Sequence, residues 1–291
     1  MDETSKTETD AAKTRRLFSP ENRLTWIAAA LLLIVATAWV YFTPAGILGK
    51  ADAVGYAVCH RITIRSFLFP DGRQLPLCAR CSGTFLGVLV GLFGPGLLLG
   101  RKRAGNFPTL PLILVLLAFS AIWAFDGANS YGFLLSFQGV KNVPHLYTPS
   151  NPLRLMTGMG QGITMGSLLL PVANAMLWDD ATPERTLDTI WHLLALVAVG
   201  AVLCAMLLSG LDIFIYVLAI LSALGVVVIM SLIFTVVITS LLRRENKSHT
   251  LIDALPLLML GLTGSFVLIG LIDLLRFLAT GTWDGFINPP V

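Results

Sequence analysis

Charge is what this sequence has least of: Asp, Glu, Lys and Arg make up 13% of its 291 residues, where soluble domains carry about 25%. An ordinary water-facing surface is therefore excluded. The shortage is uneven, because the charges sit in short blocks between long apolar runs, the pattern of a chain built for a bilayer. No phosphate-cradling glycine loop, no H-E-x-x-H helix and no serine-nucleophile elbow occurs, so the common signatures of nucleotide binding, zinc proteolysis and serine hydrolysis are missing. The net charge of +3 is a topology signal in such a chain and gives no reason to expect nucleic acid. The expected partner is the lipid bilayer.

What is present is apolar length. Hydrophobic residues make up 55% of the chain, and seven runs are long enough to cross about 30 Å of hydrocarbon: about 24–43, 82–100, 108–126, 153–178, 187–208, 212–241 and 252–279. The expected fold is all-α, a polytopic transmembrane helical bundle of about seven spans in the cell membrane. A polar tail (1–23) precedes a membrane domain (24–180) with an outer loop at about 44–81, and a three-helix membrane region (181–291) follows. The first run is too long for a signal-peptide core and reads as an uncleaved anchor, although Ala51-Asp52-Ala53 would permit cleavage. With the N-terminus in and the C-terminus out, twelve Lys and Arg face the cytoplasm and seven face outward, as the positive-inside rule prefers. Five of those seven crowd the first outer loop, so that loop holds its basic residues for another reason.

Three of the four cysteines, Cys59, Cys78 and Cys81, fall in that loop; Cys204 lies in an apolar run. Cys78-x-x-Cys81 has the ligand spacing of a zinc site, and Cys59 and His60 are the candidates to complete it, with Asp126 or water in reserve. Zinc is the expected cofactor. The same cysteines also suit thiol–disulfide exchange, because a Cys-x-x-Cys pair at a helix N-terminus has its thiolate stabilised by the dipole. A third reading is a structural staple, which an oxidising outer face permits.

Two runs carry a glycine every fourth residue: Gly83, Gly87 and Gly91 in one, Gly158, Gly162 and Gly166 in the other. Such stripes let helix backbones approach closely in lipid, so the two helices are expected to pack together or on shared neighbours. Both start at the outer face, the second at Asn151-Pro152, an N-cap followed by a proline at the first helical position. Two helix N-termini side by side favour an anion. Arg65, Arg80 and Arg154, with Asn151 and Arg61 near them, are the candidates to bind an anionic lipid headgroup or a small anion. Asp126, Asp212 and Asp273 could neutralise them, and Asp273 is expected to pair with Arg276.

The segment Cys59-His60-Arg61, Arg65-Ser66-Phe67, Pro76-Leu77-Cys78-Ala79-Arg80-Cys81-Ser82-Gly83, followed by Asp126-Gly127 and Asn151-Pro152-Leu153-Arg154 to Thr157-Gly158, resembles a family of prokaryotic predicted membrane proteins. Their shared region is known only as a domain of unknown function. The resemblance covers about residues 55–170; it implies a membrane location and brings no activity with it.

Overall fold

The structure is a computed structural model and describes residues 20–137 and 144–284. Lys6, Lys13, Arg15 and Arg16 of the polar tail, and Lys141, lie outside the described residues. Eight helices are present among the described residues: α1 (Pro20–Phe42), a short α2 (Gly46–Val58), α3 (Ala79–Leu98), α4 (Leu110–Phe137), α5 (Asn151–Leu177), α6 (Ile190–Leu208), α7 (Asp212–Leu241) and α8 (Leu251–Thr280). The seven expected spans correspond in order to the seven long helices. Six of these are long and apolar enough to cross a membrane. The exception is α5, which is equally long but carries glycine, threonine, glutamine and arginine along its length. The chain is a multi-pass membrane protein of the all-α class.

α5 can be less apolar because it is enclosed. Its closest partner is α3, and the two meet through their glycine stripes. A Cβ at Gly83, Gly87 or Gly91 would overlap the carbonyl oxygens of Leu155, Met159 and Ile163 in turn, and one at Gly158, Gly162 or Gly166 those of Arg80, Thr84 and Val88. The partners advance together along both chains, so the helices are parallel and their N-termini lie at the same end. Backbone contact of this closeness is what small residues allow where lipid supplies no hydrophobic drive.

At that end part of the expected loop is helical. α2 is too short to span a bilayer, yet it buries Ala51, Ala53, Val54 and Tyr56. Its Lys50 donates to the carbonyls of Val40 and Thr43, placing a cation on the open C-terminus of α1. At the opposite end a parallel two-stranded ribbon, β1 (Ala104–Asn106) with β2 (Thr182–Arg185), ties two connections together. Asn174 of α5 secures it by donating to the carbonyls of Lys102 and Ala104, at 3.2 and 2.9 Å.

Candidate functional site: three thiols beside an arginine network

The thiols come together because of Gly55. Its missing side chain lets the carbonyl of Pro76 lie against α2, which brings Cys59, at the C-terminal cap of α2, beside Cys78, the N-cap of α3. Cys81 follows one helical turn on. The Sγ atoms of Cys59, Cys78 and Cys81 lie within 4.8 Å of one another, and this group could hold a metal ion. All three are free thiols, set in an apolar cluster with Trp39, Val54, Leu77 and Ile269. Cys59 is buried, while Cys78 and Cys81 are partly exposed.

Backbone donors are aimed at this sulfur set. Cys59 Sγ accepts from the amides of Arg61 and Cys78, both at 3.4 Å. The first bond depends on Arg61 adopting a left-handed backbone, φ 51°, a conformation that costs a non-glycine residue about 1–2 kcal/mol. Arg61 is held there by a 3.1 Å ion pair with Asp52 and a bond to the carbonyl of Trp283. Among the thiols themselves the lowered group is Cys78. Hydrogen bonds from Cys59 and Cys81 pull its thiol well below the usual range, and Arg80 beside it acts the same way. Cys59, hydrogen-bonded to Cys78, is pushed up to about 12.

His60 does not join the thiols. Cys59 has extended backbone, φ −131° and ψ 142°, where successive side chains point to opposite sides, so His60 is exposed and outside the group. Asp126 is also absent from the group and serves the arginines instead. Its Oδ2 accepts from Arg80 Nη2 and from Thr157 Oγ1 at 3.3 Å, and its Oδ1 accepts from Tyr147 at 2.7 Å. Burial, followed by that bond to Asp126, pushes the Tyr147 phenol up to about 12.

The arginines gather around this carboxylate. Arg80 donates to Ser130 Oγ at 3.0 Å and Arg65 to the carbonyl of the same serine at 2.8 Å, so two guanidinium groups meet at one residue of α4. Asn151 was expected to cap α5, but Ser150 does so, accepting from Leu153 N at 3.4 Å. Asn151 is thereby free to donate to the carbonyls of Ile64 and Ser66, at 3.4 and 3.3 Å, and to accept from Arg154 Nη1 at 2.8 Å. It holds the Arg65 turn against the start of α5. Arg154 is only 5% exposed.

Arg276 was expected to pair with Asp273. It reaches instead to the carbonyls of Tyr56 and Cys59, the latter at 2.7 Å, with its guanidinium 4.0 Å over the Tyr56 ring. Asp273 accepts from Trp39 Nε1 at 3.3 Å, and Asp212 is exposed.

Asn129, Ser130, Tyr147 and Thr157 complete the network and were not anticipated. Asn129 accepts from the amide of Leu146 at 2.6 Å and donates to the carbonyl of Tyr147 at 2.9 Å, which delivers the phenol to Asp126. The available signal was spacing: Asp126, Asn129 and Ser130 stand three and four apart and share one helix face, provided the third span continues past residue 126.

Residues 59–168 match a family described as predicted membrane protein (DUF2085). An uncharacterized protein of Methanocaldococcus jannaschii is 31% identical over 127 residues, 43% of this chain and 70% of the relative. No solved structure matches. The matched segment begins at Cys59 and takes in Cys78, Cys81, Arg65, Arg80, Asp126 and Arg154, so it contains the thiols and the arginine network. This chain belongs to the DUF2085 family of predicted membrane proteins.

Proposed function

We propose that this protein holds one zinc ion at Cys59, Cys78 and Cys81, on the outer side of the membrane. The observation that carries the reading is the mutual approach of the three sulfurs within 4.8 Å. Thiolates about 2.3 Å from a tetrahedral zinc lie roughly 3.8 Å apart, so a small contraction suffices. A disulfide would join two of the sulfurs and strand the third. Thiolates are soft donors that select zinc over oxygen-preferring cations, and two backbone N–H groups on Cys59 Sγ supply the hydrogen bonds that bound thiolates take from their surroundings. Three protein ligands leave a fourth position for water or a ligand, on the side where Cys78 and Cys81 are partly exposed.

The test is metal analysis of the purified full-length chain. About one equivalent of zinc is expected, lost in Cys59→Ser and Cys78→Ser and kept in His60→Ala and Cys204→Ser. Because protons compete with metal for thiolates, retention should fall as the pH is lowered. A metal-free protein with a reversibly reducible Cys78–Cys81 bond would replace this reading with thiol–disulfide exchange, and a bond that resists reduction would replace it with a staple.

A second reading concerns the arginines: they bind an oxyanion. It is supported by three guanidinium groups, Arg65, Arg80 and Arg154, gathered around a single carboxylate. The Nε of each is buried with no acceptor among the described residues.

A further inference from the structure

The arginine network adjoins an apolar cleft. Between α4, α5 and α6 lies a cavity of about 560 Å³ lined by Phe119, Ile122, Met156, Gly160, Cys204 and Leu208 among others. Its size is that of a small-ligand pocket. Among the described residues no charged side chain lines it, and its one hydroxyl belongs to Thr157. That hydroxyl donates to Asp126 Oδ2 and touches the carbonyl of Arg154 at 3.2 Å. One residue therefore belongs both to the cleft wall and to the cationic network. Ile122, Met156, Ala201 and Ala205 are exposed, so the cleft opens on the bundle's flank, where hydrocarbon chains reside.

We infer that the cleft and the arginines form one site for an anionic amphiphile, with its oxyanion headgroup on Arg65, Arg80 and Arg154 and its chain between α4, α5 and α6. The inference rests on the oxyanion reading and adds the source of the anion. Charge complementarity selects the head. Guanidinium groups stay protonated when buried, Asp126 offsets one of three, and an unpaired buried N–H is costly; Arg154, with 5% exposure and an unpartnered Nε, is the strongest case. A carboxylate or phosphate accepts bidentately from such groups. Apolarity selects the tail, since a free inorganic anion would gain nothing from the cleft.

The experiment uses the full-length protein in micelles of a neutral maltoside, whose alkyl chains lack the charged head. Dodecyl phosphate and, separately, inorganic phosphate are titrated while thermal unfolding is followed. Dodecyl phosphate should raise Tm saturably and bind at least tenfold more tightly than inorganic phosphate. Arg154→Gln should weaken it at least tenfold. Ala201→Phe, a change at an exposed cleft position, should weaken dodecyl phosphate and leave inorganic phosphate unaltered. Should Arg154→Gln fail to fold, Arg65→Gln at a half-buried position takes its place. Equal binding of both probes with no effect of Ala201→Phe overturns the chain-binding cleft and leaves the oxyanion reading standing. Absence of binding by either probe, or indifference to the arginine substitutions, overturns both.

Discussion

Asp126 shows at the residue scale how a carboxylate survives in an apolar chain. It is 1% exposed, and both oxygens are engaged by Arg80, Thr157 and Tyr147. Removing one member of such a buried pair leaves the other uncompensated, a loss of about 3–5 kcal/mol. Arg80→Met is therefore expected to lower stability by that order in denaturant unfolding. Arg73→Met, which removes a partly exposed 3.7 Å pair with Asp52, should cost less than about 1 kcal/mol; equal losses would remove Asp126 from its central role. The thiols were legible from sequence because their spacing is local and their chemistry narrow. His60 was misplaced because adjacency in sequence becomes divergence on extended backbone. Asn129 and Ser130 were missed because the apolar run was ended at the first carboxylate, whereas a polar face directed inward does not end a helix.

Glycine spacing was the most readable feature at the scale of elements, because a four-residue repeat marks one stripe on a helix whatever surrounds it. It foretold the pairing of α3 and α5 without any knowledge of α4 between them. The contact also defines a test. A methyl group at Gly162 would overlap the Thr84 carbonyl, and two backbones cannot yield as a side chain can. Gly162→Ala should destabilise by about 1–3 kcal/mol despite the better helix propensity of alanine. At Gly270 the nearest atom to an added Cβ is in the Trp39 ring at 3.5 Å, so Gly270→Ala should be neutral or stabilise by up to about 1 kcal/mol. In thermal melts Gly162→Ala should therefore lower Tm, and Gly270→Ala should leave it unchanged or raise it. α2 was not legible: thirteen residues fall short of a span, and a short piece between a span and a polar segment reads as loop until its packing partners are known.

For the whole molecule, the distribution of basic residues gains a structural account. At the thiol end, Arg61, Arg65, Arg80, Arg154 and Arg276 are turned inward onto Asp52, Asp126, Asn151 and backbone carbonyls. At the other end, Arg243, Arg244 and Lys247 are exposed or nearly so. The positive-inside count favours the proposed arrangement, thiols outside. A membrane-impermeant maleimide should label Asp71→Cys in intact cells and Glu245→Cys only after lysis; the reverse pattern would put the thiols in the cytosol. The reach of Arg276 from the last helix to the carbonyl of Cys59, 217 positions earlier, carries a consequence for biogenesis. A nascent chain acquires its three sulfurs first, and the clasp that steadies Cys59 leaves the ribosome 217 residues after it. Maturation of the centre is thereby tied to synthesis of α8, and a polypeptide terminated before that helix would reach the bilayer with its sulfurs unfastened.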